Sequence, residues 1–137
     1  MQQDLKNIKS GWIIVNKEVG MTSAMVVNKI KRVLKVKKAG HAGTLDPLAS
    51  GVLPIALGEA TKTMSFAMNS NKSYEFDIKW GAATDTDDLE GKIVAESNIR
   101  PLKNDIINIL PKFTGIIKQK PPAYSAIKIN GVRSYKL

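Results

Sequence analysis

Between Gly40 and Leu53 the chain reads Gly-His-Ala-Gly-Thr-Leu-Asp-Pro-Leu-Ala-Ser-Gly-Val-Leu, and this run constrains everything around it. Glycines at 40, 43 and 51 and a proline at 47 break helical periodicity and leave the segment too glycine-rich for an ordinary strand, so a shaped loop is expected. Pro47 fixes its own φ and steers Asp46 out of the α region into an extended conformation. A carboxylate held between apolar neighbours that exclude water can serve as nucleophile, base or ligand. The same residues allow a plainer reading, in which Asp-Pro opens a turn or caps a helix and the glycines serve loop geometry alone.

The flanking sequence supplies regular elements on both sides. Gly11-Trp12-Ile13-Ile14-Val15-Asn16-Lys17 reads as a short buried strand. Thr22 and Ser23 offer a helix cap, after which Val26, Val27, Ile30, Val33 and Leu34 recur at helical spacing, with Lys29, Lys31, Arg32 and Lys35 on the other face. Gly51–Gly58 reads as a strand that Pro54 demotes to an edge, a bulge or a strand end. Glu59–Met68 reads as a helix with Ala60, Thr63, Met64 and Ala67 inward. Lys72–Trp80 alternates, placing Tyr74, Phe76, Ile78 and Trp80 on one face of a strand. The acidic run from Thr84 to Glu90 fails the spacing of a calcium loop and is expected to form turns before a returning strand at Lys92–Glu96. A helix follows from Arg100–Pro101 to Pro111, then a strand over Phe113–Lys120, and Asn130-Gly131, flanked by Ala123–Ile129 and Val132–Leu137, signals a hairpin. The sum is an α+β protein with a mixed, mainly antiparallel sheet and flanking helices.

The run His41–Leu53 resembles the catalytic motif of the tRNA pseudouridine synthase B (TruB) family, enzymes that isomerise uridine 55 in the T-loop of tRNA. Five further stretches carry the resemblance: Asn16-Lys17-Glu18-Val19-Gly20-Met21-Thr22-Ser23, with Glu18 where proline is common; Gly58-Glu59-Ala60-Thr61-Lys62; the Lys-x-Tyr of Lys72–Tyr74; the Gly-x-x-Thr-Asp-Thr-x-Asp-x-x-Gly of Gly81–Gly91; and the Pro-Pro-Ala-Tyr-Ser-Ala-Ile-Lys of 121–128. The resemblance implies Asp46 as nucleophile, Tyr74 as the ring that stacks on the flipped uracil and a candidate general base, and Asp88 as the carboxylate that orients an arginine. It implies RNA contacts for His41, Lys17 and Lys62, although a backbone-bonded histidine and a plain surface lysine are the ordinary alternatives. Residues 1–10 are expected to be a flexible N-terminus, and 11–137 a partial catalytic domain. The family's later arginine-bearing strand and C-terminal RNA-binding domain are expected to be absent.

Composition bounds the chemistry. The 21 Lys and Arg against 12 Asp and Glu give a formal charge of +9, which suits a polyanion such as RNA, or equally a solvated basic surface. There is no cysteine for a thiolate or disulfide, and one histidine cannot build a histidine metal cluster. No apolar run of bilayer length occurs and the N-terminus lacks a signal-peptide core, so a cytoplasmic protein is expected. The uridine isomerisation that the resemblance implies exchanges no electron, so no cofactor and no metal are expected, and the resemblance implies the T-arm of tRNA as the partner. The competing reading is a non-catalytic tRNA-binding or folding module.

Overall fold

The computed structural model describes residues 10–118 and the backbone of 128, 129, 132 and 133. The chain divides into two compact units, residues 1–74 and 75–137.

The first unit is built on a three-stranded antiparallel sheet of order β1-β3-β2, formed by Gly11–Lys17 (β1), Ala39–His41 (β2) and Gly51–Leu57 (β3). Ile13 stands opposite Ile55 and Val15 opposite Leu53, while His41 lies across from Ile55 on the other side. The helix Ser23–Leu34 (α1) begins where Thr22 accepts the Met25 amide at 3.1 Å. It ends at Lys35, whose left-handed backbone closes the last turn. Val26 and Val27 of α1 pack with Leu53, Ile55 and Leu57 of β3 as the buried core, and Ile13, Val15, Met21, Ile30, Leu34 and Leu45 surround it. Val33 is left 68% exposed.

Pro54 sits in the central strand, not on an edge. In an antiparallel ladder the N–H and C=O of one residue point to the same side. The Pro54 carbonyl accepts the Ala42 amide at 2.9 Å, so its missing donor falls on the β2 side, just past the last strand residue of β2. No ladder bond to β1 is lost. The expected helix after Gly58 is divided between a 3₁₀ stretch at Gly58–Thr63 and a short helix, Met64–Met68 (α2).

The second unit contains the hairpin of Ala82–Thr84 (β4) and Ile93–Glu96 (β5), the helix Lys103–Ile109 (α3) continued by a 3₁₀ turn at Leu110–Phe113, and a short ladder of Lys128–Ile129 (β6) with Val132–Arg133 (β7). Asp105 reaches back to the Leu102 amide at 2.9 Å and starts α3. Two expected strands do not form among the described residues. Lys72–Trp80 has the alternation but no pairing strand, and Tyr74, Phe76, Ile78 and Trp80 are exposed. The described part of Phe113–Lys120 is turn and irregular chain, and the rest of it lies outside the described residues, as does Ala123–Ile127. No residue from 75 to 118 is buried. An alternating sequence needs a partner ladder to hold a strand, because its backbone bonds run to a neighbour.

Candidate active site

Gly40 to Leu53 leaves the sheet at His41 and returns to it at Gly51, so the loop is anchored at both ends by β2 and β3. Gly43, at φ +117°, makes the first bend, a conformation other residues adopt only with strain. His41, half-buried, donates from Nδ1 to the Gly43 carbonyl, since a carbonyl can only accept. In the neutral ring Nε2 is then left as an acceptor.

Asp46 is exposed, and its carboxylate makes no hydrogen bond or ion pair among the described residues. Its neighbours are fastened instead. Ser23, only 3% exposed in the first turn of α1, donates to the Leu45 carbonyl at 3.0 Å and accepts the Leu45 amide at 2.9 Å. On the other side the Gly20 amide donates to the Pro47 carbonyl at 2.8 Å. The Ala49 amide closes on the Asp46 carbonyl at 3.0 Å, making a turn with Pro47 at its second position. Asp-Pro therefore opens a turn, as the plainer reading expects, and the carboxylate of Asp46 stands in solvent and not among water-excluding apolar neighbours.

Lys17 takes a place different from the RNA contact that resemblance implied. It is 1% exposed, and Nζ donates to the carbonyls of Glu18 at 3.1 Å and Met21 at 2.7 Å. A buried ammonium satisfied by two carbonyls holds the 18–21 turn in shape, and that turn carries the Gly20 amide bound to Pro47. Lys62 lies on the surface and pairs with Glu59, one helical turn away. Tyr74 is 68% exposed, and no hydrogen bond joins it to Asp46. Lys72 caps the C-terminal end of α2 through the carbonyls of Met68 at 2.6 Å and Ser70 at 2.7 Å.

Asp88 belongs to the second unit. Its Oδ1 accepts the Thr86 hydroxyl at 2.6 Å and the Glu90 amide at 2.9 Å. The Thr86 hydroxyl, against the upward push of desolvation and with the help of the Glu90 and Gly91 amides, holds the Asp88 carboxyl below its ordinary value. Asp85 meanwhile accepts the Lys92 amide at 2.9 Å. A Cβ at Gly91 would lie 2.6 Å from the Asp85 carboxylate, so only glycine fits where this loop closes. The carboxylates thus work as turn-formers, and no group of His, Asp and Glu suited to a metal occurs among the described residues.

Sequence reasoning missed Ser23 and Lys72 as anchors. Ser23 was expected only as a cap, a role that Thr22 fills. Nothing in the spacing of Ser23 and Leu45 announces their contact, because the two lie on different elements.

Residues 31–137 match the family described as TruB family pseudouridylate synthase (N terminal domain). A protein of Bradyrhizobium diazoefficiens named tRNA pseudouridine synthase B is 57% identical over 127 residues, covering 93% of this chain and 37% of the relative. One of the same name from Ehrlichia chaffeensis is also 57% identical, with 93% and 43% covered. Among solved structures, a chain in the crystal structure of a Cbf5-Nop10-Gar1 complex aligns at TM-score 0.59 and 32% identity, over 88% of this chain and 32% of that one. The chain therefore spans about two-fifths of the length of these two relatives.

Proposed function

This chain belongs to the TruB family of pseudouridylate synthases, and from that premise we propose that it carries the nucleophile-bearing part of an enzyme converting uridine to pseudouridine in the T-loop of tRNA. The observation that supports this most directly is Asp46: a solvent-facing carboxylate with no partner among the described residues, between two residues whose main chain is fastened to the segment 20–23. A structural aspartate spends its oxygens on local amides, as Asp85 does on that of Lys92.

The reaction breaks the C–N glycosidic bond, turns the uracil and joins its C5 to the sugar. No electron or atom is gained. The base is first flipped out of the folded loop, at a cost of a few kcal/mol. Asp46 then attacks the sugar or the ring, or takes a proton to allow elimination; each route needs an accessible carboxylate in a fixed direction. Tyr74 stacks on the flipped ring, and His41 fills the space the base leaves, its Nε2 open to RNA. Asp88 orients an arginine supplied by the polypeptide that relatives carry beyond the matched segment. Lys62 contacts phosphate. Lys17 acts at one remove, by holding the turn that holds Pro47.

The test is conversion of the T-loop uridine in unmodified tRNA by this chain, and by this chain joined to the portion that follows the matched segment in the Bradyrhizobium relative. Asp46→Ala should reduce conversion by about 10⁴-fold or more, the scale on which a deleted nucleophile acts, with tRNA affinity kept. No conversion by either parent protein, with tRNA binding intact, would replace the enzyme by the binding module.

A further inference from the structure

Gly40 and Gly43, on the way into the Asp46 loop, leave their backbone bare, and both are covered by the segment that follows β3. A Cβ at Gly40 would stand 3.0 Å from Sδ and 3.2 Å from Cε of Met64, the first residue of α2. A Cβ at Gly43 would stand 3.9 Å from Cε of Lys72. The helix α2 and the chain leaving it therefore pass along residues 40–43 in order, with Met64 at one end and Lys72 at the other. Glycine at 40 permits the close approach, and the φ of +117° at Gly43 makes the bend that the Lys72 stem overlies.

The far end of Lys72 is also fixed. Its Nζ donates to the carbonyls of Met68 at 2.6 Å, Ser70 at 2.7 Å and Ala67 at 3.4 Å. An ammonium has three protons, and these three acceptors use them all. No carboxylate pairs with it among the described residues. One end of the side chain is thus spent on the backbone of 67–70 and the other lies over the loop.

Two ordinary roles for such a lysine leave part of this unexplained. A phosphate contact needs a free donor, and none is left. A helix cap needs the carbonyl bonds but no particular course for the stem, and an exposed cation at the end of a five-residue helix stabilises it only slightly. What the stem does is join the bend at Gly43 to the chain two residues before Tyr74. The Tyr74 Cα lies within about 7 Å of that of Lys72, the span of two extended residues. Tyr74 itself is 68% exposed and makes no hydrogen bond among the described residues, so its placement depends on the chain before it. We infer that Lys72 is a positioning residue, a clamp between the Gly43 bend and the end of α2 that holds Tyr74 beside the Asp46 loop. The inference rests on the stacking role proposed for Tyr74.

The test uses this chain joined to the portion that follows the matched segment in the Bradyrhizobium relative, with single-turnover conversion of saturating unmodified tRNA read beside tRNA affinity. Lys72→Met keeps the stem and removes the donors. It should slow conversion by about 10²-fold, the scale of an ångström's misplacement, and leave affinity within about 2-fold. The slope of log affinity against log salt should stay within about 0.5 of the parent, because no phosphate contact is lost. Lys72→Arg, which restores donors, should recover most of the rate. In a Tyr74→Ala background Lys72→Met should cost no more than about 2-fold further, since two residues acting through one effect do not add. A slope lowered by about 1 would make Lys72 a phosphate contact and overturn the inference. So would full additivity with Tyr74→Ala, or a loss of rate matched by an equal loss of tRNA-binding sites, which would mean misfolding alone. If Tyr74→Ala converts as fast as the parent, the stacking role and this inference fall together while Asp46 keeps its own. A joined parent that converts nothing removes the proposed enzyme instead, and the clamp is then decided on the 137-residue chain. There, nuclear Overhauser contacts should join the Lys72 Cε protons to the Gly43 Cα protons, and Lys72→Met should move the Tyr74 amide signal; absence of either overturns the clamp.

Discussion

The carboxylate of Asp46 is aimed by other residues' backbones: Leu45 is held by the Ser23 hydroxyl and Pro47 by the Gly20 amide. The conformation of Asp-Pro is legible from the ring of Pro47, which restricts two residues at once. The fastening is not legible, because a hydroxyl's partner depends on which element folds across it. Lys17 makes the same point in reverse: a lysine read as a surface contact is buried, its charge answered by two carbonyls. Asp88 gives a prediction at this scale. Its folded carboxyl titrates below the ordinary value of 3.8, chiefly because of Thr86, so it stays charged to lower pH in the folded loop. A depressed acid stabilises the loop fully above its unfolded value, and that contribution is lost as pH falls through the folded value. Carbon-13 NMR should place the Asp88 midpoint below 3.8, and Thr86→Val should move it up. An unmoved midpoint in the variant would show that the hydroxyl is not the cause.

At the scale of elements, β1 and α1 are read from composition and spacing because their own residues decide them. Pro54 was harder: its place in a central strand depends on where β2 stops, a fact written in the Gly40–Gly43 bend and not in the strand itself. The run Lys72–Trp80 has a clear period of two, yet periodicity describes a face and not a partner, and no described strand pairs with it. Register in β3 can be tested directly. Leu53 is 1% exposed and Val52 is 68% exposed, neighbours on opposite faces of one strand. Leu53→Ala should cost about 2–5 kcal/mol in denaturant unfolding followed by Trp12 fluorescence, and Val52→Ala no more than about 0.5 kcal/mol. Reversed losses would mean that the strand is displaced by one residue, because a single step exchanges its faces.

Across the molecule, charge is the property that no single element carries. Lys29, Arg32, Lys35, Lys37 and Lys38 are exposed along α1 and the chain after it, and the Lys62–Glu59 pair is the one ion pair among the described residues. A pair between two exposed side chains one helical turn apart contributes little, about 0–1 kcal/mol, so Lys62 can exchange Glu59 for a phosphate at small cost. Under the proposed function the α1 cations form a solvated face whose attraction for RNA is long-range and without fixed contacts. These assignments separate in a salt titration, because each phosphate contact adds about one unit to the slope of log affinity against log salt. Lys62→Ala should lower that slope for unmodified tRNA by about 1, and Glu59→Gln should tighten binding by removing the competing carboxylate. Lys29→Ser with Arg32→Ser should weaken binding at low salt and leave the slope within about 0.5 of the parent. A drop of about 2 in that double variant would make α1 part of the RNA interface, and the basic face would then be read as contact rather than solvation.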